Sequence, residues 1–133
     1  MQLQLITTKA TEVILKVQET EGAERKFDLH HSFFVNEKET NVLGVSFSIQ
    51  LSSPSYHLSI QYVALFQTSE PIDEVFKSSD FPVVNAPAIA YPYLRAFIAN
   101  LTLNAGYEPI NLPSINFNAL KQKEVKKRPS KIQ

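Results

Sequence analysis

Between Pro87 and Gly106 the sequence carries one charged residue, Arg95, and this stretch constrains the fold more than any other. At helical spacing Ala90, Leu94, Phe97, Ile98, Leu101 and Ala105 form one apolar stripe, while Ile89, Tyr93, Ala96 and Leu103 fill much of the opposite side. A helix that is apolar around most of its circumference needs cover on both sides. A single sheet covers one of them, and a chain of 133 residues leaves little for the other. Self-association through the second side is therefore expected, with Ile89, Tyr93, Ala96, Phe97, Asn100 and Leu103 as interface residues. The spacing predicts a helix from near Pro87 to about Asn104, with Gly106 just past its cap. Pro92 either marks its first regular turn or kinks it. Arg95 needs a partner or a route to water, because an unpaired buried guanidinium is costly.

The amino-terminal half has a different period. Leu43, Val45, Phe47, Ile49 and Leu51 alternate with small or polar residues, a strong strand signal. After the turn at Ser52-Ser53-Pro54-Ser55, Tyr56, Leu58, Ile60, Tyr62, Ala64 and Phe66 share the face of a second, antiparallel strand. An earlier strand is expected from Arg25 to Val35, with a bulge near His30 and His31. The first strand is expected from Leu3 to Gln18, broken around Thr7 to Thr11. Four strands joined by short loops predict an antiparallel meander, with helices over one face in an α+β layer. Beyond it, Pro71 to Phe76 predicts a short helical turn, and Phe81 to Pro87 an extended connection because residues before proline avoid the α region. A last helix is expected after Asn116. Residues 1–122 then form one domain and 123–133 a basic, flexible tail.

Charge narrows the function. Residues 1–120 hold 12 acidic and 7 basic side chains, while residues 121–133 hold six basic residues and Glu124. A structural protein that contacts nucleic acid through that basic tail is one alternative, although the net acidic body argues against a nucleic-acid groove. The chain has no cysteine, which excludes thiol chemistry and disulfides. It shows no basic, apolar leader and no apolar run long enough for a membrane span. His30, His31 and His57 form no metal-ligand spacing, and Asp73 and Glu74 read as a helix cap. No nucleophile elbow or phosphate loop is present. A binding protein without cofactor, rather than an enzyme, is the expectation.

The segment 81–120 also carries ordered motifs: Asn85-Ala86-Pro87, Tyr91-Pro92-Tyr93-Leu94-Arg95, Pro109-Ile110-Asn111-Leu112-Pro113 and Ile115-Asn116-Phe117-Asn118-Ala119-Leu120. In this region the chain resembles the SecB preprotein-export chaperones. The resemblance implies a four-stranded antiparallel sheet with one long and one short carboxy-terminal helix, assembled as a dimer of dimers. It implies a cytoplasmic, ATP-independent holdase that binds unfolded or precursor proteins in hydrophobic grooves. By position, Phe76, Phe81, Val83 and Val84 match the crossover that lines such grooves, and Ile115, Phe117 and Leu120 match the start of the last helix. It also implies docking on the SecA motor, or, in divergent relatives, service to one labile antitoxin. The basic tail departs from the acidic export members.

Overall fold

The computed structural model describes residues 1–19 and 24–127. They form two units, which divide between Ile72 and Asp73.

The first unit is a sheet of four antiparallel strands: β1 (Leu3–Val17), β2 (Lys26–Asn36), β3 (Glu39–Ser52) and β4 (Tyr56–Thr68). The alternation that predicts β3 and β4 sets their register. Leu43 faces Phe66, Val45 faces Ala64, Phe47 faces Tyr62, Ile49 faces Ile60 and Leu51 faces Leu58. All ten side chains are buried on one face. The turn between them is closed by Ser53, whose N–H donates to the Tyr56 carbonyl at 2.9 Å. Its hydroxyl accepts from the Tyr56 N–H at 3.2 Å.

The expected four-strand meander is corrected by the strand order, β1-β4-β3-β2. Strands β2, β3 and β4 form the meander, and β1 pairs with β4. β1 and β2 therefore lie at opposite edges of the sheet, with β4 and β3 between them. Pattern alone does not distinguish that order from a hairpin of β1 with β2.

Two further expectations change. β1 is unbroken but bulged, with register shifts between Leu5 and Thr7 and between Ala10 and Glu12. Each bulge adds one residue, so Leu5, Thr8, Ala10, Val13 and Leu15 stay opposite buried β4 residues although their spacing is irregular. The bulge expected at His30 and His31 is absent, since the two pair in sequence with Ser48 and Phe47. His31 occupies an apolar-face position, its ring 6.4 Å from that of Phe47. The one irregularity in this pairing lies between Val35 and Asn36.

The opposite face of β3 and β4 carries a polar ladder. His57 lies 2.9 Å from the Ser52 hydroxyl and 2.9 Å from the Gln50 amide oxygen. Gln50 and Gln61 donate to Ser59 and Ser48 at 2.8 and 2.9 Å. At the far end of this face the tip of the Phe34 ring lies over Gly44, its strand partner, in the space that a Cβ at Gly44 would occupy. Gly44→Ala is therefore expected to push Phe34 off the strand and to destabilise the chain by about 1–2 kcal/mol. Urea denaturation should show this loss, and Phe34→Ala made in the same background should reduce it.

The second unit contains α1 (Glu74–Lys77), a π-helical turn (Phe81–Asn85), α2 (Ala86–Asn104) and α3 (Phe117–Lys127). The extended connection expected over Phe81–Pro87 is corrected to helix. Pro82 stands in the first turn of the π-helical segment, where a missing N–H breaks no bond, and Pro87 stands in the first turn of α2. The wider π spacing then continues directly into α2, with the Ala86 N–H bonded to the Phe81 carbonyl. α2 runs unbroken through Pro92. It ends as its sequence predicts, in a Schellman arrangement: Gly106 at φ 99°, its N–H on the Leu103 carbonyl at 3.1 Å, and the Tyr107 N–H on the Thr102 carbonyl at 2.9 Å. The tail expected from residue 123 begins within α3, and its remainder, 128–133, lies outside the described residues.

Candidate binding surface

The seven side chains expected to line a groove all belong to the second unit. The Asp73 carboxylate caps α1, accepting from the Phe76 N–H at 2.8 Å. This turns Phe76 inward, where its ring stacks on Phe81 at 5.6 Å and 9°. The Ser79 hydroxyl ties the link, donating to the Phe76 carbonyl at 2.5 Å and accepting from the Phe81 N–H at 3.2 Å. The Asp80 carbonyl then receives the N–H groups of both Val84 and Asn85, at 2.8 and 3.1 Å, which winds the π-helical turn.

That turn contacts α1, α2 and α3 alike. The first turn of α3 is capped by the Asn116 side chain, which accepts from the Ala119 N–H at 3.0 Å. Phe117 sets its ring edge-on to Tyr91 at 5.7 Å and 75°. One turn later, Lys121 forms an ion pair with Asp80 at the head of the π-helical turn. Phe76 and Phe117 are buried, whereas Phe81, Val83, Val84, Ile115 and Leu120 are half-buried. The buried pair thus supports the arrangement and the other five can meet a ligand. Val75, 78% exposed beside Phe76, was not among the expected residues. The Asp80–Lys121 link joins residues 41 apart and leaves no local sequence signal.

The two sides of α2 separate sharply. Ala86, Pro87, Ala90, Tyr91, Leu94, Ile98 and Thr102 are buried. Part of that cover comes from the following segment. Ile110 and Leu112 are buried, the Ile110 N–H donates to the Thr102 hydroxyl at 3.1 Å, and the Tyr91 hydroxyl donates to the Pro113 carbonyl at 2.8 Å. Burial holds the Tyr91 phenol above its usual pKa, against the opposing charge of Arg95, so it stays a neutral donor at physiological pH. The Thr102 hydroxyl also donates back to the Ile98 carbonyl at 2.9 Å. Thr102→Val, close in shape, is expected to leave the Ile110 N–H buried without a partner and to cost about 1–3 kcal/mol. Thermal unfolding measures the loss, and Thr102→Ser should recover most of it.

On the other side Ile89, Tyr93 and Leu103 are 42%, 50% and 56% exposed, Ala96 and Asn100 are exposed, and Phe97 is half-buried. Ile89, Tyr93, Ala96, Asn100 and Leu103 recur at alternating steps of four and three, a single seam along the helix. Ala105, expected on the inner stripe, is instead the exposed C-cap residue. Arg95 is half-buried with its guanidinium 5.9 Å from the centre of the Tyr91 ring, so it has both an aromatic partner and access to water.

Among the described residues no helix is long and apolar enough to cross a membrane. The family model described as preprotein translocase subunit SecB matches residues 3–128. The chain is 32% identical over 75 residues to the protein-export protein SecB of Anaplasma phagocytophilum, covering 54% of this chain and 46% of that protein. With the SecB of Anaplasma marginale (strain Florida) it shares 25% over 115 residues, covering 86% of this chain and 61% of that protein. The chain thus spans roughly half the length of these relatives. In fold it is similar to the Mycobacterium tuberculosis SecB-like chaperone solved in complex with a ChAD peptide from the HigA1 antitoxin, with a TM-score of 0.66 at 16% identity over 86% of this chain and 88% of that one.

Proposed function

Because the chain belongs to the SecB family, we propose that it is an ATP-independent holdase that binds unfolded or precursor polypeptides, assembled as a homo-oligomer through α2. One observation carries this reading: an uncharged π-helical turn presents Phe81, Val83 and Val84 half-exposed beside α3, which adds Leu120. Apolar side chains fixed on a backbone turn can hold many sequences, because dispersion contacts impose no hydrogen-bond register on the ligand. Phe76 and Phe117 hold that surface in place from below. The exposed seam of α2 is the complementary half of the proposal, since a tetramer, or at least a dimer, would cover it.

Export is the leading role, carried out in the cytoplasm with precursors as clients and the SecA motor as a partner. The six basic residues after Leu120 favour a second role, the care of one dedicated client such as an antitoxin. Co-purification from the native host separates the two: secretory precursors with the motor support export, and one stoichiometric small partner supports the dedicated role.

Val84→Asp is expected to weaken capture of an unfolded client by about tenfold, because a carboxylate must be desolvated wherever the client lies against the turn. Light-scattering assays of client aggregation without nucleotide measure this. Suppression by the variant at wild-type stoichiometry would remove the turn from the binding surface.

A further inference from the structure

Arg95 is the only charged residue between Pro87 and Gly106, and among the described residues it makes no ion pair. It is nevertheless held in place. Its guanidinium lies against the Tyr91 ring, and that ring is fixed at its far end by the hydrogen bond to the Pro113 carbonyl. Beside it opens a cavity of about 190 Å³ lined by Pro92, Arg95, Ala96, Ala99, Asn111 and Leu112. Arg95 and Asn111 are the polar members of the lining, and there is no acidic one. A guanidinium held against an aromatic ring, with no counter-charge among the described side chains and next to an amide and small apolar side chains, matches a planar anion. The fork of N–H donors pairs with both oxygens of a carboxylate, and the amide can donate to one of them. A water-sized group needs about 30 Å³, so the cavity has room for a carboxylate and the carbon that bears it.

We propose that this cavity is a carboxylate-binding site, filled by an acidic side chain of a polypeptide or by a free small carboxylate. The site is separate from the surface formed by the π-helical turn and α3 and does not depend on the holdase reading, but it shares Ala96 with the exposed seam of α2.

The test starts with acetate and acetamide, titrated at constant ionic strength into the isotope-labelled full chain. The Arg95 Nε–H and the Asn111 side-chain NH₂ resonances are followed. Acetate is expected to shift both along a saturating curve, and acetamide to shift neither. Arg95→Gln is expected to abolish the Asn111 response while the far-UV spectrum stays unchanged, and Arg95→Lys to weaken it. A linear acetate response, or one that acetamide reproduces, overturns the site. Two short glycine–serine peptides, one with a central aspartate and one with asparagine, then decide the source. A preference of about tenfold for the aspartate peptide, lost in Arg95→Gln, assigns the site to polypeptide side chains. Equal affinities with a saturating acetate response assign it to free carboxylates.

Discussion

Replacing Leu103 with aspartate and Tyr93 with glutamate in the same chain is expected to break the proposed assembly into smaller species. Both side chains are at least half exposed in the single chain, so the double change should leave folding and far-UV dichroism intact. In an assembly that covers the seam, the same changes bury two charges with no partner. Such a burial costs about 3–5 kcal/mol per uncompensated charge. Even the lower figure weakens association by more than about a hundredfold. Multi-angle light scattering reads the result directly as a fall in mass at micromolar concentration. An unchanged mass would mean that α2 meets its partner elsewhere, or not at all. Asn100 gives a finer check, since a polar residue within an apolar seam restricts the register of pairing at some cost in stability. Asn100→Leu should tighten association while making it less uniform.

The second large effect is expected at Phe117. This ring is buried and packs edge-on to Tyr91 at the start of α3. Phe117→Ala should cost about 3–5 kcal/mol, the range for emptying a buried aromatic site. Much of a small chain's stability lies in that range. Chemical denaturation should therefore show a large fall in midpoint with little change in slope. Leu120→Ala, half-buried one turn later, should cost markedly less. The contrast matters for function as well. A loss of client capture in Phe117→Ala would report a loosened α3, whereas Val84 and Leu120 report the surface itself. If both variants proved equally stable, the view of Phe117 as a support for that surface would fail.

Much of this was legible from periodicity. The facing of β3 and β4, the extent of α2 and its glycine stop each follow from spacing that is strictly local. The two-sided character of α2 was legible too, and the structure divides it into a buried side around Leu94 and Ile98 and an exposed seam around Tyr93 and Leu103. What failed needed information from outside the local window. β1 keeps one face inward only because two bulges absorb the extra residues, and spacing alone reads that as a break. Its place beside β4 is a long-range pairing that no motif marks. His31 hides in an apolar row because an imidazole can lie against Phe47. At Phe81–Asn85 two valid rules compete. Proline disfavours helix in the residue before it, but it also suits a first helical turn, and here the second rule wins at both Pro82 and Pro87. The candidate surface was legible as a set of apolar residues, but the division into buried supports and half-exposed members was not. It depends on the Asp73 cap, which the sequence does indicate, together with the Asp80–Lys121 pair, which only the folded chain brings together.

The central claim is that unfolded chains lie against the π-helical turn and the start of α3. A photo-crosslinking side chain placed at Val84, offered an unfolded client without nucleotide, tests it most directly. The same probe at Lys38, exposed in the β2–β3 turn, serves as the control. The account predicts a strong client adduct from position 84, competed away by excess unlabelled client, and little from position 38. Adducts of equal yield from both positions, or none from position 84 while the client is demonstrably bound, would contradict it.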